Sequence, residues 1–322
     1  MIYLNTRHLL QLGICWEGLI GVIREAVSAL KRNDYSQPVK PYLRYGNPGN
    51  RIIAMPAYIG GMEPMAGIKW IASFPGNTQM NRQRANSITI LNEYNTGVVL
   101  CSINTNLISA IRTASVSGLV TQHYLQSRPA GKIDVGIVGY GPIGRIHLQM
   151  LAQLLGDRLH RVRLFDLRPI AREMIPDELQ DKVLICESWE ESFRDADILV
   201  TCTVSADRYI DLAPKRGSLQ LNVSLRDYMA HTREYMDIIV VDSWEEVCRE
   251  NTDIEKMHLI KGLTSDETIT IGEFLDLDLN RGPAGGSVTM FNPMGMAIFD
   301  VAVGAFYYRQ AREKGIGIEL PV

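Results

Sequence analysis

The sequence lacks the features that mark several large classes of protein. Its six histidines form no HxH or HExxH motif and its five cysteines form no CxxC pair, so the usual ligand spacings of a metal site are missing. No apolar run is long enough to span a bilayer, and the first residues do not have the order of a secretion signal. We therefore expect no metal, no membrane partner, a cytoplasmic location, and cysteines that are reduced core residues.

The sequence also lacks a large excess of charge of either sign. The 33 basic and 36 acidic residues are mixed along the chain and leave a net charge of −3, which gives no extended field for nucleic acid. Repeats and low-complexity tracts are missing, and 46% of the residues are hydrophobic. Because 322 residues exceed what one hydrophobic core usually supports, we expect two domains and a small-molecule partner.

The first third of the chain predicts a helix followed by a sheet. Apolar residues recur at helical spacing between Trp16 and Arg32, and prolines interrupt the extended stretch from Gln37 to Arg44. Short β-prone segments then lie between turns: Arg51–Met55, Ala66–Ala72, Ser87–Asn92 and Gly97–Ser102. We expect a mostly antiparallel sheet and hence an α+β domain.

The rest of the chain predicts a parallel sheet. A helical stretch from Asn104 to Leu125 leads into apolar strands that alternate with helical segments: Ile133–Val138, Val162–Phe165, Val183–Cys186, Ile198–Thr203, Leu219–Val223 and Ile238–Val241. Right-handed crossovers would assemble them into a doubly wound α/β sheet of the Rossmann type. A last helix, Gly295–Lys314, should return to the first domain. The expected domains are 1–112, completed by 294–322, and 113–293.

The strongest local signal is the glycine-rich turn after the strand Ile133–Val138. It reads GYGPIG and opens a helix. The first glycine permits the tight turn, the second lets a pyrophosphate approach the backbone, and the third lets the helix pack closely on the strand. The helix N-terminus then favours phosphates. This context predicts dinucleotide binding by the residues of the turn: Gly139, Tyr140, Gly141, Pro142, Ile143 and Gly144.

Asp166 ends the second strand, where a dinucleotide site places a carboxylate on the ribose. A carboxylate repels the 2′-phosphate of NADP, so Asp166 favours NAD. Arg168 would favour the 2′-phosphate instead, and a solvated strand end is the simpler alternative. The loops after the fourth and fifth strands open at the same edge, and we expect them to contact the cofactor through Thr201, Cys202, Thr203, Asn222 and Ser224.

Asp227 follows the fifth strand directly, in the segment LNVSLRD, and is the candidate acid/base residue. A carboxylate at this edge can exchange protons with a substrate amine or with water. Aspartate is also a common helix N-cap, and position alone does not separate the two interpretations.

Cations in apolar surroundings mark the first domain as the candidate substrate-binding region. Lys69 lies in the apolar segment AGIKWIAS, and Arg112 interrupts an apolar helical face in SAIRTASVS. Arg44 and Arg51 lie in the same domain. A buried structural ion pair is the alternative for Lys69 and Arg112. If all four cations bind substrate, they favour a molecule with several carboxylates.

Taken together, the segments GIKW, IRTASVS, GYGPIG, SLRD and NPMGMAIFD resemble the ornithine cyclodeaminase/mu-crystallin family over nearly the whole chain. Within it, the segments KPYLR, RIIAMP, GIKWI and NPMGMAI are most similar to the 2,3-diaminopropionate biosynthesis dehydrogenases. The resemblance implies an NAD-dependent oxidoreductase that forms a homodimer through its first domain. By position, it assigns Lys69 and Arg112 to substrate carboxylates, with Lys69 also in the catalytic set, and Asp227 to acid/base catalysis. Arg51 and Arg44 are expected to join Lys69 and Arg112 in binding carboxylates.

That branch acts on N-(2-amino-2-carboxyethyl)-L-glutamate. The resemblance implies its oxidation and hydrolysis to 2,3-diaminopropionate and 2-oxoglutarate, which would supply a siderophore or a peptide natural product. The alternatives are an ornithine cyclodeaminase, which makes proline and ammonia, and a mu-crystallin-like protein that binds NADPH and small ligands. The segment SLRDYMAH departs from the corresponding turn of ornithine cyclodeaminase, and Asp166 disfavours NADPH.

Overall fold

The computed structural model describes residues 1–47, 49–128, 130–281 and 286–321, and the chain divides into two compact units. The first unit comprises Met1–Ser115 and Gly295–Val322, and the second comprises Val116–Met294. The division therefore falls slightly beyond the expected boundary at residue 112, inside a continuous helix.

The strands, in chain order, are β1 (Ile2–Asn5), β2 (Tyr35–Ser36), β3 (Tyr42–Leu43), β4 (Arg51–Ile59), β5 (Met65–Ser73), β6 (Ala85–Asn92), β7 (Val99–Asn104), β8 (Ile133–Val138), β9 (Leu159–Phe165), β10 (Val183–Ile185), β11 (Ile198–Thr201), β12 (Leu219–Asn222), β13 (Ile238–Val241), β14 (Ile269–Thr270), β15 (Thr289–Asn292) and β16 (Ile318–Glu319). The α-helices are α1 (Thr6–Leu12), α2 (Trp16–Lys31), α3 (Leu107–Gln126), α4 (Pro142–Leu155), α5 (Trp189–Phe193), α6 (Trp244–Val247), α7 (Asp253–Lys261), α8 (Ile271–Asp276) and α9 (Ala297–Lys314). Short 3₁₀ helices cover Pro75–Met80, Gly156–Arg158, Arg172–Met174, Asp177–Leu179, Ala230–Tyr235, Ser265–Glu267 and Leu279–Arg281.

The sheet of the first unit has the strand order β16-β1-β7-β6-β5-β4-β2, with β3 also paired to β4. Its pairs are antiparallel except for β1 and β7, which confirms the mostly antiparallel prediction. Helix α9 packs against β4, β5 and β6, so alternate residues such as Met55, Ala57 and Ile59 are buried. Strand β4 continues through Pro56 to Ile59, past the end that the proline predicted at Met55.

The sheet of the second unit has the order β10-β9-β8-β11-β12-β15-β13-β14, and its pairs are parallel. This confirms a Rossmann-type α/β sheet, with the six expected strands in place. Strand β15 was missed by sequence analysis, although it lies between β12 and β13. It has four residues with polar ends, TMFN, and little local periodicity.

Contrary to the expectation, the cysteines lie only partly in the core, since Cys101 and Cys186 are buried but Cys202 and Cys248 are half-buried. All five are free, but Cys15 is exposed, because it precedes the first turn of α2 at the surface. Across the described part of the chain, no helix combines the length and apolar character needed to cross a membrane.

Candidate functional site

The glycine-rich turn between β8 and α4 needs its glycines for different reasons. Gly139 has φ +95°, and a Cβ atom there would lie 2.7 Å from the backbone carbonyl of Cys202. A Cβ atom on Gly144 would collide with the carbonyl oxygen of Gly139. A Cβ atom on Gly141, in contrast, would meet no heavy atom within 4 Å. The outer glycines are therefore fixed by packing, while the middle one borders open space.

Helix α4 begins in this open space. Gly141 is its N-cap and makes no side-chain cap hydrogen bond, and Pro142 and Ile143 form the start of the first turn. The first backbone N–H groups of a helix have no intrahelical acceptor and carry partial positive charge. With Pro142 supplying no N–H, the remaining groups can bind a phosphate oxygen that approaches over Gly141.

Asp166 is fixed beside the turn. One of its carboxylate oxygens accepts the backbone N–H of Tyr140 at 2.8 Å, and the other accepts the N–H of Arg168 at 2.9 Å. The Arg168 side chain also lies 3.5 Å from this carboxylate but is 78% exposed. The Tyr140 hydroxyl donates to the carbonyl of Met174, 3.1 Å away. Asp166 is thus a carboxylate fixed by two backbone N–H groups next to the glycine-rich turn, rather than a freely solvated strand end.

Asn222 ends β12 and is fully buried. Its Oδ1 accepts hydrogen bonds from the Thr201 hydroxyl (3.2 Å) and the Leu225 N–H (3.1 Å). Its Nδ2 donates to carboxylate Oδ2 of Asp253 (3.0 Å) and to Oδ1 of Asn292 (2.8 Å). Both the oxygen and the nitrogen of the Asn222 side-chain amide are therefore hydrogen-bonded within the protein. These bonds connect β11, β12 and β15 at their carboxyl ends.

Asp227 is fully buried in the loop after β12. The hydroxyls of Thr203 and Ser224 each donate to one of its carboxylate oxygens. The nearest helix downstream is the 3₁₀ helix Ala230–Tyr235, whose N-cap is Met229, so the N-cap interpretation of Asp227 does not apply. Each carboxylate oxygen keeps a second lone pair beyond its hydroxyl bond, so Asp227 can still take up a proton.

Tyr209 is a neighbour of Asp227 that sequence analysis did not select. Its backbone N–H donates to the carbonyl of Asp227 at 3.0 Å. Burial, together with the negative charge of Asp227, raises the pKa of the Tyr209 phenol far above its usual value. Tyr209 therefore stays protonated, and its side chain adds no charge to the surroundings of Asp227.

In the first unit, Lys69 and Arg112 converge on Asp300 of α9. Lys69 Nζ lies 3.1 Å and Arg112 Nε lies 3.0 Å from the same oxygen, Oδ1 of Asp300. All three side chains are buried. The ion-pair alternative for both cations is thus present. Yet Oδ2 of Asp300 has no hydrogen-bond partner among the described residues, and one carboxylate offsets two cations.

Burial and charge determine the ionisation of this cluster. Burial lowers the pKa of Lys69 from 10.5 to about 8, against the attraction of Asp300. Burial also opposes ionisation of Asp300, but Arg112 and Lys69 outweigh it and hold the Asp300 pKa below its usual value. The cluster therefore keeps excess positive charge near neutral pH, which favours a bound anion.

Lys40 extends this cationic region, whereas Arg44 and Arg51 lie beside Tyr42. Lys40 is buried and donates to the carbonyl of Gly295 at 2.9 Å, and a Cβ atom on that glycine would lie 2.8 Å from Nη1 of Arg112. Lys40 and Asp300 received no role from sequence analysis, although both lie in segments that carried the family resemblance. The guanidinium carbons of Arg44 and Arg51 lie 5.3 Å and 5.6 Å from the ring centre of Tyr42.

Comparison with known proteins identifies a matching family and a similar enzyme. The model of the ornithine cyclodeaminase/mu-crystallin family matches residues 6–214. The chain is 32% identical to the N-((2S)-2-amino-2-carboxyethyl)-L-glutamate dehydrogenase of Staphylococcus aureus, over 99% of this chain and 98% of that protein.

Two solved structures share the fold. The Δ(1)-pyrroline-2-carboxylate reductase of Thermococcus litoralis, solved with NADH and L-proline, has a TM-score of 0.88 at 23% identity, over 99% of this chain and 100% of that one. An archaeal alanine dehydrogenase dimer with bound NAD has a TM-score of 0.85 at 24% identity, over 100% of this chain and 99% of that one.

Proposed function

The chain belongs to the ornithine cyclodeaminase/mu-crystallin family, and we propose that it is an NAD-dependent dehydrogenase acting on N-(2-amino-2-carboxyethyl)-L-glutamate. The products would be 2,3-diaminopropionate and 2-oxoglutarate. The observation that carries the proposal is the buried cluster in which Asp300 offsets both Lys69 and Arg112. Its excess positive charge suits a substrate with several carboxylates, and the relative from S. aureus is named for such a substrate.

The proposed cofactor fits the residues of the second unit. The open space over Gly141 and the start of α4 suit a pyrophosphate, and Asp166 suits the ribose hydroxyls. Thr203, Cys202 and Ser224 lie in the loops beside this turn. When bound, NAD supplies the oxidation by taking a hydride from the glutamate α-carbon.

Asp227 would accept and donate the protons that move during the reaction. Loss of the hydride would turn the C–N bond into a protonated imine, and water must then add to its carbon and lose a proton. Asp227 would accept that proton and return it to the departing amine, which leaves as 2,3-diaminopropionate while 2-oxoglutarate forms. Thr203 and Ser224 would orient the carboxylate through their hydroxyl bonds.

The cations of the first unit would bind the substrate. N-(2-amino-2-carboxyethyl)-L-glutamate, called the conjugate below, carries three carboxylates. Four cations can bind them with charge-assisted hydrogen bonds: Lys69, Arg112, Arg44 and Arg51. Ornithine offers one carboxylate, and these cations would repel its side-chain ammonium group. The diaminopropionate formed would serve a siderophore or a peptide natural product.

The direct test incubates the protein with NAD and either the conjugate or ornithine, and follows NADH absorbance and the products. We expect NADH and 2-oxoglutarate from the conjugate and no reaction with ornithine. Proline and ammonia without net NADH would establish an ornithine cyclodeaminase instead. Tight cofactor binding without turnover of either compound would indicate a binding protein.

We also expect the protein to bind NADH more tightly than NADPH. The Asp166 carboxylate can hydrogen-bond the ribose diol but repels a 2′-phosphate, and its bond to Tyr140 prevents it from moving away. Fluorescence titration with both nucleotides measures the preference. Asp166→Ser should narrow the difference between the two dissociation constants. Arg168→Ser should not narrow it, because this change removes a cation that would attract the 2′-phosphate. Tighter binding of NADPH by the parent protein would reverse the assignment.

The same proposal includes a homodimer formed through the sheet of the first unit. The register places Pro56, Ile68 and Ile90 on one side of this sheet, with Ile88 and Trp70 beside them, and Trp70 is 42% exposed. The alanine dehydrogenase with the same fold was solved as a dimer. A second copy of the chain is therefore the proposed partner of this apolar face.

A charge at Trp70 should weaken the dimer. We expect Trp70→Glu to lower the molar mass measured by light scattering from two chains to one, because it desolvates a carboxylate inside an apolar interface. Met62→Glu, at a side chain that is 99% exposed, is the control and should remain dimeric. A parent protein that is monomeric at micromolar concentration would contradict the proposal.

A further inference from the structure

The turn that carries Asp227 is organised by a second buried carboxylate, Asp253. Asp253 begins α7 and is fully buried. Its Oδ2 accepts the backbone N–H groups of Asp227 (3.0 Å) and Tyr228 (3.1 Å). The same oxygen also accepts the side-chain amide of Asn222 at 3.0 Å. Asp253 therefore fixes the main chain of Asp227 itself, rather than merely lying near it.

These bonds hold the backbone in an uncommon conformation. Leu225, two residues before Asp227, has φ +63°, in the left-handed region that branched side chains rarely adopt. Its N–H donates to Asn222 at 3.1 Å, and its carbonyl accepts the N–H of Asp253 at 2.7 Å. A strained turn of this kind persists only when its surroundings fix it, and such turns are concentrated at functional sites.

Asp253 is held in turn by a second unusual loop. Glu250 and Asn251 have φ values of +62° and +59°. Arg208 connects this loop to the carboxylate: its Nε lies 2.6 Å from Oδ1 of Asp253, and its Nη2 lies 2.6 Å from the carbonyl of Asn251. Arg226 donates to the carbonyl of Glu250 at 2.9 Å. The Arg208–Asp253 pair thus connects two strained segments of the backbone.

We propose that Asp253, anchored by Arg208, is the positioning residue that holds Asp227 in its reactive geometry. The inference rests on the proposed function, because it requires Asp227 to transfer protons. Asp253 touches neither substrate nor cofactor in this role; it acts through the backbone of Asp227. Displacing a reacting carboxylate by about 1 Å can cost on the order of a hundredfold in rate.

Asp253→Asn tests the proposal. The amide has a single acceptor oxygen, so it cannot serve both Arg208 and the N–H groups of the turn, and its NH₂ group must face donors on one side. We expect kcat to fall roughly tenfold to a hundredfold while the KM values for NAD and for the conjugate stay unchanged. A smaller fraction of folded protein would also lower the apparent kcat at constant KM, so each rate is divided by the concentration of NAD-binding sites measured by nucleotide titration.

Asp197→Asn is the matched control. Asp197 is also buried in the second unit, accepts the backbone N–H of Asp134 at 3.0 Å, and pairs with Lys215 at 2.7 Å. It lies before the start of β11, whereas Asp227 follows the end of β12, at the opposite edge of a parallel sheet. We expect this variant to lose stability but to keep kcat.

The outcomes are distinguishable. Unchanged kcat in Asp253→Asn, or an equal fall in Asp197→Asn, would overturn the inference alone. If Asp253→Asn does not fold, Arg208→Gln decides: a lower kcat at constant KM supports the inference, and an unchanged kcat overturns it. A parent protein that makes no NADH from the conjugate would overturn the proposed function and this inference with it.

Discussion

Replacing Asp227 by asparagine is expected to lower turnover roughly a hundredfold or more while leaving NAD binding nearly unchanged. The amide cannot accept a proton, so the water and amine steps lose their base and acid. The change is almost isosteric, and the hydroxyls around it can adapt. One of Thr203 and Ser224 can donate to the amide oxygen while the other rotates to accept from the NH₂ group. The fold should therefore survive.

The measurement is the rate of NADH formation from the conjugate, alongside nucleotide titration and the unfolding temperature of each variant. Asp211→Asn, at an exposed aspartate of the same unit, is the control for the loss of one negative charge. Normal turnover in Asp227→Asn would assign proton transfer to another group. A variant that melts well below the parent would instead give Asp227 a structural role.

The fold of the second unit could be predicted from the sequence because short, local segments specify its main elements. Each of the expected parallel strands is a short apolar run, and the glycine-rich turn identifies β8 and α4 by sequence order alone. Five strands were missed because they are two to four residues long and owe their position to distant partners: β1, β2, β14, β15 and β16. β1, for example, lies between β7 and β16, and its own four residues cannot specify either neighbour.

The candidate site could be predicted only in part, because its residues have partners that are distant in the sequence. Lys69 and Arg112 were identifiable as cations in apolar segments, but their shared partner Asp300 lies 231 and 188 residues away in sequence. Asn222 was assigned to the cofactor from its place after a strand. The structure shows its amide bonded within the protein, on the network that fixes the Asp227 turn. Sequence position placed Asn222 at the carboxyl end of its strand but did not specify its hydrogen-bond partners.

The second large effect is expected at Asp300. Asp300→Asn keeps the shape of the side chain and an acceptor for Lys69 and Arg112, but it removes the only charge that those two cations share at Oδ1. Because all three groups are buried, the free energy of unfolding should fall by about 3–5 kcal/mol, the usual cost of leaving a buried charge uncompensated. The amide nitrogen would displace no hydrogen bond, since Oδ2 of Asp300 makes none among the described residues.

The loss should depend on pH in a direction that Lys69 sets. Its pKa is about 8 in the folded protein, below its unfolded value, so the folded chain binds fewer protons and this group makes the protein more stable as pH rises toward 10.5. Without Asp300 the pKa should fall further, and the stability deficit of Asp300→Asn should be smaller at pH 9 than at pH 7. Urea unfolding at both pH values measures this deficit.

The double variant Lys69→Met, Asp300→Asn should recover part of the lost stability, because it removes one of the two uncompensated cations. A deficit under about 1 kcal/mol that is the same at both pH values would contradict a charge-compensating role for Asp300.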